Sequence, residues 1–470
     1  MGGLITLAEG LAPIALTVSR SIQQTDARRN GFVGLTPFAV LRFWLPLATS
    51  WLLIATESVA VNAIIARMAE AKLQLAAFGI AQSLALAVES PIDPLLTASN
   101  ALARDRDSFR LVWRFALAFN ALVTAVMLLL GLTPLFNIAV VRLIGAPTEI
   151  AAKVRPTLWA LALWPAAVGF RRFHQGIMIW HGYTRQIGYG TTIRLFTAVG
   201  VSLAGLAWGK LDGATVGGLA LGASSMAESL YIWYMAQPAV QKVKRADTPA
   251  EKTPLTWRDL LRFYAPLALT SAITLSTTPL INAGLARSPY PVESLAVWPV
   301  VSGQLFALRS FGLSLQDVVI ALLDGPAAMK TLRRFATMVG VGSLALLLFI
   351  AYTPLAPWWQ QRIAGLSEEL TLFAVAALRL AVLLPALAVV VNMLRGIVVT
   401  GRTTSGIAQA TVLNLVVLGA VLLIGARLGL LPGASVAAVA LTVSQLTESA
   451  WLWRQARLCF ISGLKFRASS

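Results

Sequence analysis

The stretch GATVGGLALGASSMAESLYIW, Gly213 to Trp233, returns as GASVAAVALTVSQLTESAWLW, Gly433 to Trp453, with 9 of 21 positions identical and most others conservative. The offset is 220 residues, and it holds far outside this stretch. LRFWLPLA at Leu41 to Ala48 meets LRFYAPLA at Leu261 to Ala268, and Asn62, Ala63, Ala66 and Arg67 meet Asn282, Ala283, Ala286 and Arg287. TPL at Thr133 to Leu135, with Arg142 and Gly145, meets Thr353 to Leu355 with Arg362 and Gly365; Pro165 and Gly176 meet Pro385 and Gly396. Convergent hydrophobicity does not keep one register this long, so the chain is an internal duplication.

The repeated unit is a set of membrane spans. The chain is 57% hydrophobic and 12% charged with a mean hydropathy of +0.74, against about 25% charged residues in soluble domains. Spans are expected near 40–64, 74–98, 110–132, 156–181, 187–208 and 214–237, and again near 261–286, 293–322, 331–352, 373–400, 405–428 and 434–458. The expected organisation is an amphipathic extension over 1–34, a first six-helix bundle over 35–237, a polar linker over 238–254, a second bundle over 255–458 and a tail over 459–470. An even number of spans per repeat makes both halves enter the membrane in the same direction, related by a pseudo-two-fold axis along its normal.

Arginine and lysine crowd one set of loops: Arg104, Arg106 and Arg110; Arg185; the Lys242 to Arg262 run; Lys330, Arg333 and Arg334; and the end of the chain. The positive-inside rule then places both termini in the cytoplasm, in the plasma (inner) membrane. That loop bias also accounts for much of the net charge of +18, so nucleic-acid binding is not implied. One cysteine and two histidines exclude an intrachain disulfide and a Cys/His zinc site. Neither a GxxxxGK[ST] loop nor HExxH occurs. No cofactor, metal or enzymatic activity is expected; the expected partners are a small anionic solute and the lipid bilayer, and the expected state is a monomer.

The residues that bear on function interrupt the spans. PAAVGFRRFHQGIMIWHG, Pro165 to Gly182, carries Arg171, Arg172 and His174 in an apolar setting. One arginine at the centre of a membrane helix costs about 2.5–3.5 kcal/mol, so the pair faces water, a counter-charge or a ligand, or else snorkels to lipid phosphates. The expectation is a single hydrated central cavity lined by the candidate substrate-binding residues Arg171, Arg172, His174, Gln175, Arg309, Asn392, Arg395, Asn62 and Asn282. Glu57, Glu89, Asp93, Gln316, Asp317 and Glu448 are the gating or coupling candidates. Glu228 and Glu448 are repeat mates, which suggests a shared structural task. Glu89 and Arg309 are also mates, and a latching salt bridge between them is one expectation, two locally satisfied side chains the other. Pro91, Pro94, Pro165 and Pro385 would kink the helices beside these groups.

The order LRFWLPLA with Glu57 and Asn62, then GIAQSLALAVESP at Gly79 to Pro91 and ARDRDS at Ala103 to Ser108, resembles the progressive ankylosis protein family. HQGI at His174 to Ile177, YAPLAL with Pro279 and Asn282, and TES at Thr447 to Ser449 extend the resemblance to Trp453. It implies membership of the multidrug, oligosaccharidyl-lipid and polysaccharide exporter superfamily, an all-α, twelve-helix, MATE-like fold of two pseudo-symmetric bundles, and export of pyrophosphate, nucleotide or citrate. The Arg171–Arg172 doublet, and the pair Asn392 and Arg395, depart from the family pattern. A multidrug or cation antiporter of the same fold, and a lipid-linked oligosaccharide flippase, are the alternatives.

Overall fold

The computed structural model describes residues 35–246, 255–401 and 405–461. The extension expected over 1–34 and most of the tail lie outside the described residues. Each half is a series of six helical rods. In the first these are α1 (Pro37–Ile65), α2 (Ala71–Glu89) continued by α3 (Leu95–Leu102), α4 (Arg106–Leu132), α5 (Thr148–Ala160) continued by α6 (Trp164–Trp180), α7 (Thr184–Trp208) and α8 (Gly213–Arg245). In the second they are α9 (Trp257–Leu275) continued by α10 (Thr277–Ala286), α11 (Pro291–Leu313) continued by α12 (Leu315–Leu322), α13 (Gly325–Tyr352), α14 (Glu368–Leu380) continued by α15 (Leu384–Thr400), α16 (Ser405–Leu428) and α17 (Gly433–Ile461).

Among the described residues seven rods are long and apolar enough to span a membrane unaided, and the α14–α15 pair, bent by 42°, makes an eighth. The others are more polar or more broken, and buried or half-buried charges sit in rods of both kinds: Glu57, Glu89, Arg194 and Arg309 in the former, Arg171, Glu228 and Glu448 in the latter. Two boundaries differ from the sequence expectation. The linker expected from 238 is helical to Arg245, because Pro238 bends α8 without ending it and Lys242, Lys244 and Arg245 suit a helix C-terminus. The helix expected to end at 458 runs on to Ile461.

The ends of the rods are set by local chemistry. Thr36 caps α1 through the Ala39 amide at 3.3 Å, with Pro37 at the first helical position. Asp105 with Ser108, and Thr256 with Asp259, form capping boxes on α4 and α9. Asp259 is held below the usual aspartate range by its hydrogen bonds from Thr256.

The two halves meet through contacts that repeat at the 220-residue offset, as a two-fold axis demands. Gly79 lies on the axis against its own mate Pro299, and a Cβ at Gly79 would stand 2.4 Å from the proline ring. Beside them Asn62 donates to the Pro299 carbonyl at 2.9 Å and Asn282 to the Gly79 carbonyl at 3.2 Å. At the end away from the chain termini, Arg67 donates to the carbonyls of Arg362 and Ile363 at 2.7 and 2.9 Å. Its mate Arg287 donates to those of Arg142, Leu143 and Ile144 at 3.1, 2.8 and 2.7 Å. The carbonyls are free because each segment winds as a wide π-turn, the first capped by the left-handed Gly145 (φ 82°) and the second followed, after Ala364, by the left-handed Gly365 (φ 78°). A side chain at Gly365 would meet Arg67 at 2.9 Å. Lys72 adds a bridge to Glu293 at 2.5 Å.

At the terminal end the first rod of each half leans on the other half. Trp44 Nε1 donates to the Phe311 carbonyl at 3.0 Å, and its mate Tyr264 donates through Oη to the Pro91 carbonyl at 2.6 Å. Trp44 packs edge-on to Phe335, and Tyr264 to Phe115.

Candidate functional site

The ion pairs inside the rods form two clusters, one per bundle. Glu57, Asp93, Glu228 and Glu448 each find an arginine within their own bundle.

In the first bundle Arg171 of α6 pairs with Glu228 of α8, both under 10% exposed. Arg194 of α7 pairs with Glu57 of α1 at 2.8 Å and reaches toward Glu228 at 4.0 Å, and Ser224 donates to Glu57 at 3.0 Å. Arg172 pairs with Asp93 at 2.8 Å through Nη2 and 2.9 Å through Nε. Asp93 is placed for this by the break at Ser90–Ile92, a single 3-10 turn started by Pro91. Both arginines of the doublet therefore meet counter-charges inside the protein, not lipid phosphates. Glu89, 6% exposed, makes no ion pair or hydrogen bond with a described residue, and its Oε2 is fully enclosed.

In the second bundle Glu448 of α17 accepts from Arg395 of α15 and, at 2.8 Å, from Asn414 of α16. Arg309 of α11 is half-buried, its Nε enclosed without a partner, and it forms no ion pair with a described residue. The expected Glu89–Arg309 bridge is therefore absent; the two side chains belong to separate clusters. Asp317 is 4% exposed and Gln316 half-buried, on the short helix α12. Asn392 spends its amide on the Ala388 carbonyl of its own helix, 2.7 Å away.

His174 is walled in by Trp113, Phe170 and Phe173, with ring centroids at 5.5, 4.5 and 5.3 Å, and Nδ1 lies 2.8 Å from the Phe170 carbonyl. This is a packing environment, and Gln175 beside it is buried. Asn62 and Asn282 hold the inter-bundle seam instead of either charged cluster. Three partners escaped the list of candidates: Arg194, Glu228 and Asn414. Arg194 and Glu228 were visible as charges inside apolar spans; Asn414 carries no such signal, because asparagine in a span is unremarkable until its partner is known.

A cavity of about 340 Å³ lies elsewhere, between α13 and α15. Its lining is Val341, Leu344, Val389, Val390 and other apolar residues with Arg333 at one end, so it is a groove on the bundle's flank and no part of either cluster.

The fold is shared with solved membrane transporters. The inward-facing conformation of a multidrug resistance MATE family transporter of the MOP superfamily is 15% identical, with 97% of this chain and 100% of that chain covered and a TM-score of 0.61. The lipid II flippase MurJ in an inward closed conformation is 14% identical, with 88% and 87% covered and a TM-score of 0.62. A MOP superfamily transporter from Pyrococcus furiosus, described as having a binding pocket of reversed polarity, is 16% identical over 99% of both chains with a TM-score of 0.52. No relative was matched among curated proteins. The family model "Progressive ankylosis protein (ANKH)" matches residues 30–289, the whole first bundle and the first rod of the second. With more than half of its length so matched, the chain belongs to the progressive ankylosis protein family.

Proposed function

We propose that this protein exports small multivalent anions, of the pyrophosphate, nucleotide or citrate class, from the cytoplasm by alternating access between its two bundles. The observation that carries the reading is the set of guanidinium groups held inside the helices: Arg171, Arg172, Arg194, Arg309 and Arg395. Guanidinium forks match carboxylate and phosphate oxygens, and an anion can exchange with a protein carboxylate already bound there. A site for lipophilic cations needs free carboxylates, and of those inside the spans Glu57, Asp93, Glu228 and Glu448 are already neutralised by arginine, which leaves the buried Glu89 and Asp317, one in each bundle.

Family membership supports the same substrate class. The energetics fit as well: with an inside-negative potential each negative charge that leaves gains about 2.3 kcal/mol per 100 mV, so a multivalent anion needs neither ATP nor an obligatory counter-ion. With the termini in the cytoplasm, the seam of Asn62, Arg67 and their mates is the outer gate.

The test is efflux from proteoliposomes loaded with labelled pyrophosphate, ATP or citrate under a potassium-diffusion potential of either sign. Saturable efflux accelerated by a potential that is negative on the loaded side is expected. Absence of efflux for all three, with transport of a lipophilic cation or scrambling of a lipid-linked sugar, refutes the reading.

A further inference from the structure

The repeat places one position of the second rod in each bundle in the same seat, and fills it with opposite charge. Glu89 occupies the seat in the first bundle and Arg309 in the second. In the first bundle Arg171, Arg172 and Arg194 all have carboxylate partners other than Glu89. In the second bundle Arg309 lies on α11, which packs against the α15 of Arg395, and Glu448 is already engaged by Arg395 and Asn414. Asp317, buried on the next short helix, forms no ion pair with Arg309.

The spare donors lie on the same side of this contrast. Arg309 Nε and Arg395 Nε are both enclosed without a hydrogen-bond partner. A buried donor left unmade is costly, so these two are a place for an acceptor that the described residues do not supply. Arg171 Nε also lacks a partner, but that side chain is 7% exposed and closed off beside Glu228. Arg395 is 28% exposed and Arg309 half-buried, so a solute can approach both.

We propose that the transported anion binds in the second bundle, on Arg309 with Arg395 as the second cation, and that the arginines of the first bundle hold that bundle together instead of binding substrate. This rests on the anion-export reading and names its site. A ligand with two anionic groups, such as a diphosphate or a polycarboxylate, would take both enclosed donors. Glu448 competes with it for Arg395.

The experiment measures binding of pyrophosphate and of citrate to the purified full chain in lipid nanodiscs, by calorimetry, for the wild type and for Arg309→Gln, Arg309→Lys and Glu448→Gln. Arg309→Gln should weaken binding about 10- to 100-fold, the range for loss of a charge-assisted hydrogen bond, with Arg309→Lys in between. Glu448→Gln should tighten it by releasing Arg395, an effect that a merely structural role would not produce. Unchanged affinity in Arg309→Gln, or no tightening in a folded Glu448→Gln, overturns the site while leaving anion export standing. If the wild type binds neither anion, the functional reading falls, and the site with it.

Discussion

Replacing both Arg67 and Arg287 by glutamine should open the end of the molecule away from its termini. Together the two side chains make five hydrogen bonds to backbone carbonyls of the opposite bundle, two from Arg67 and three from Arg287. A charge-assisted hydrogen bond to a buried partner is worth about 1.5–3 kcal/mol, but both arginines are exposed and screened, which brings the working figure to about 0.5 kcal/mol each. The double variant then loses about 2.5 kcal/mol of closure, close to 70-fold in the equilibrium constant. A protein closed about 99% of the time would sit near parity. Asn62 and Asn282 remain, as does the Lys72–Glu293 bridge, so the bundles stay joined across the shift. The assay is pulsed dipolar spectroscopy between spin labels on Leu132→Cys and Leu430→Cys, 57% and 79% exposed, in a Cys459→Ser background. Wild type should give one dominant short distance, the double variant two populations of similar weight, and each single variant an intermediate shift. A distribution in the double variant that matches wild type would show that the clasp contributes nothing to closure.

Glu228→Gln should cost about 3–5 kcal/mol, because it leaves Arg171 buried without its carboxylate and removes the weaker neighbour of Arg194; thermal melting in detergent should show it, and the double change Arg171→Met with Glu228→Met should recover most of the loss. Glu89→Gln, by contrast, breaks no ion pair and should change stability by less than about 1 kcal/mol in the same assay. Gly176→Ala should destabilise by about 1–3 kcal/mol or more by overpacking, since the added methyl would lie 2.3 Å from the Leu96 carbonyl. The mate Gly396→Ala should cost less, since its nearest neighbour is the Val319 side chain at 2.7 Å.

The duplication, the rods and the direction of both halves were legible because hydrophobic runs and a fixed offset survive in residue types. Which charges pair was not, and Glu228 and Glu448 show why. The repeat suggested a shared task for these mates, and each does accept an arginine from the fourth rod of its bundle. The arginines differ by one helical turn: Arg171 has Val391 at its equivalent position, and Arg395 has Gln175. Residues four apart lie on one helix face, so either can reach the same carboxylate, and an in-register alignment hides the exchange. The clasp was hidden for another reason. Arg67 and Arg287 stood out as mates, but their acceptors are carbonyls freed by π-turns, and a carbonyl leaves no mark in the sequence.

Symmetry and its violation divide the labour in this molecule. Contacts that join the bundles obey the two-fold rule on both sides of the seam: Asn62 with Asn282, Arg67 with Arg287, Trp44 with Tyr264. Such a seam can open and close as a unit, because most of its bonds have a twin on the other side. The charged clusters do not obey it. Three arginines of the first bundle are fully paired, whereas the second bundle has one pair and one arginine to spare. A rocking motion about a symmetric seam moves both bundles alike, so any preference for one solute has to come from what differs between them. The difference with most electrostatic consequence is Glu89 against Arg309, a reversal of charge at one seat of an otherwise repeated frame.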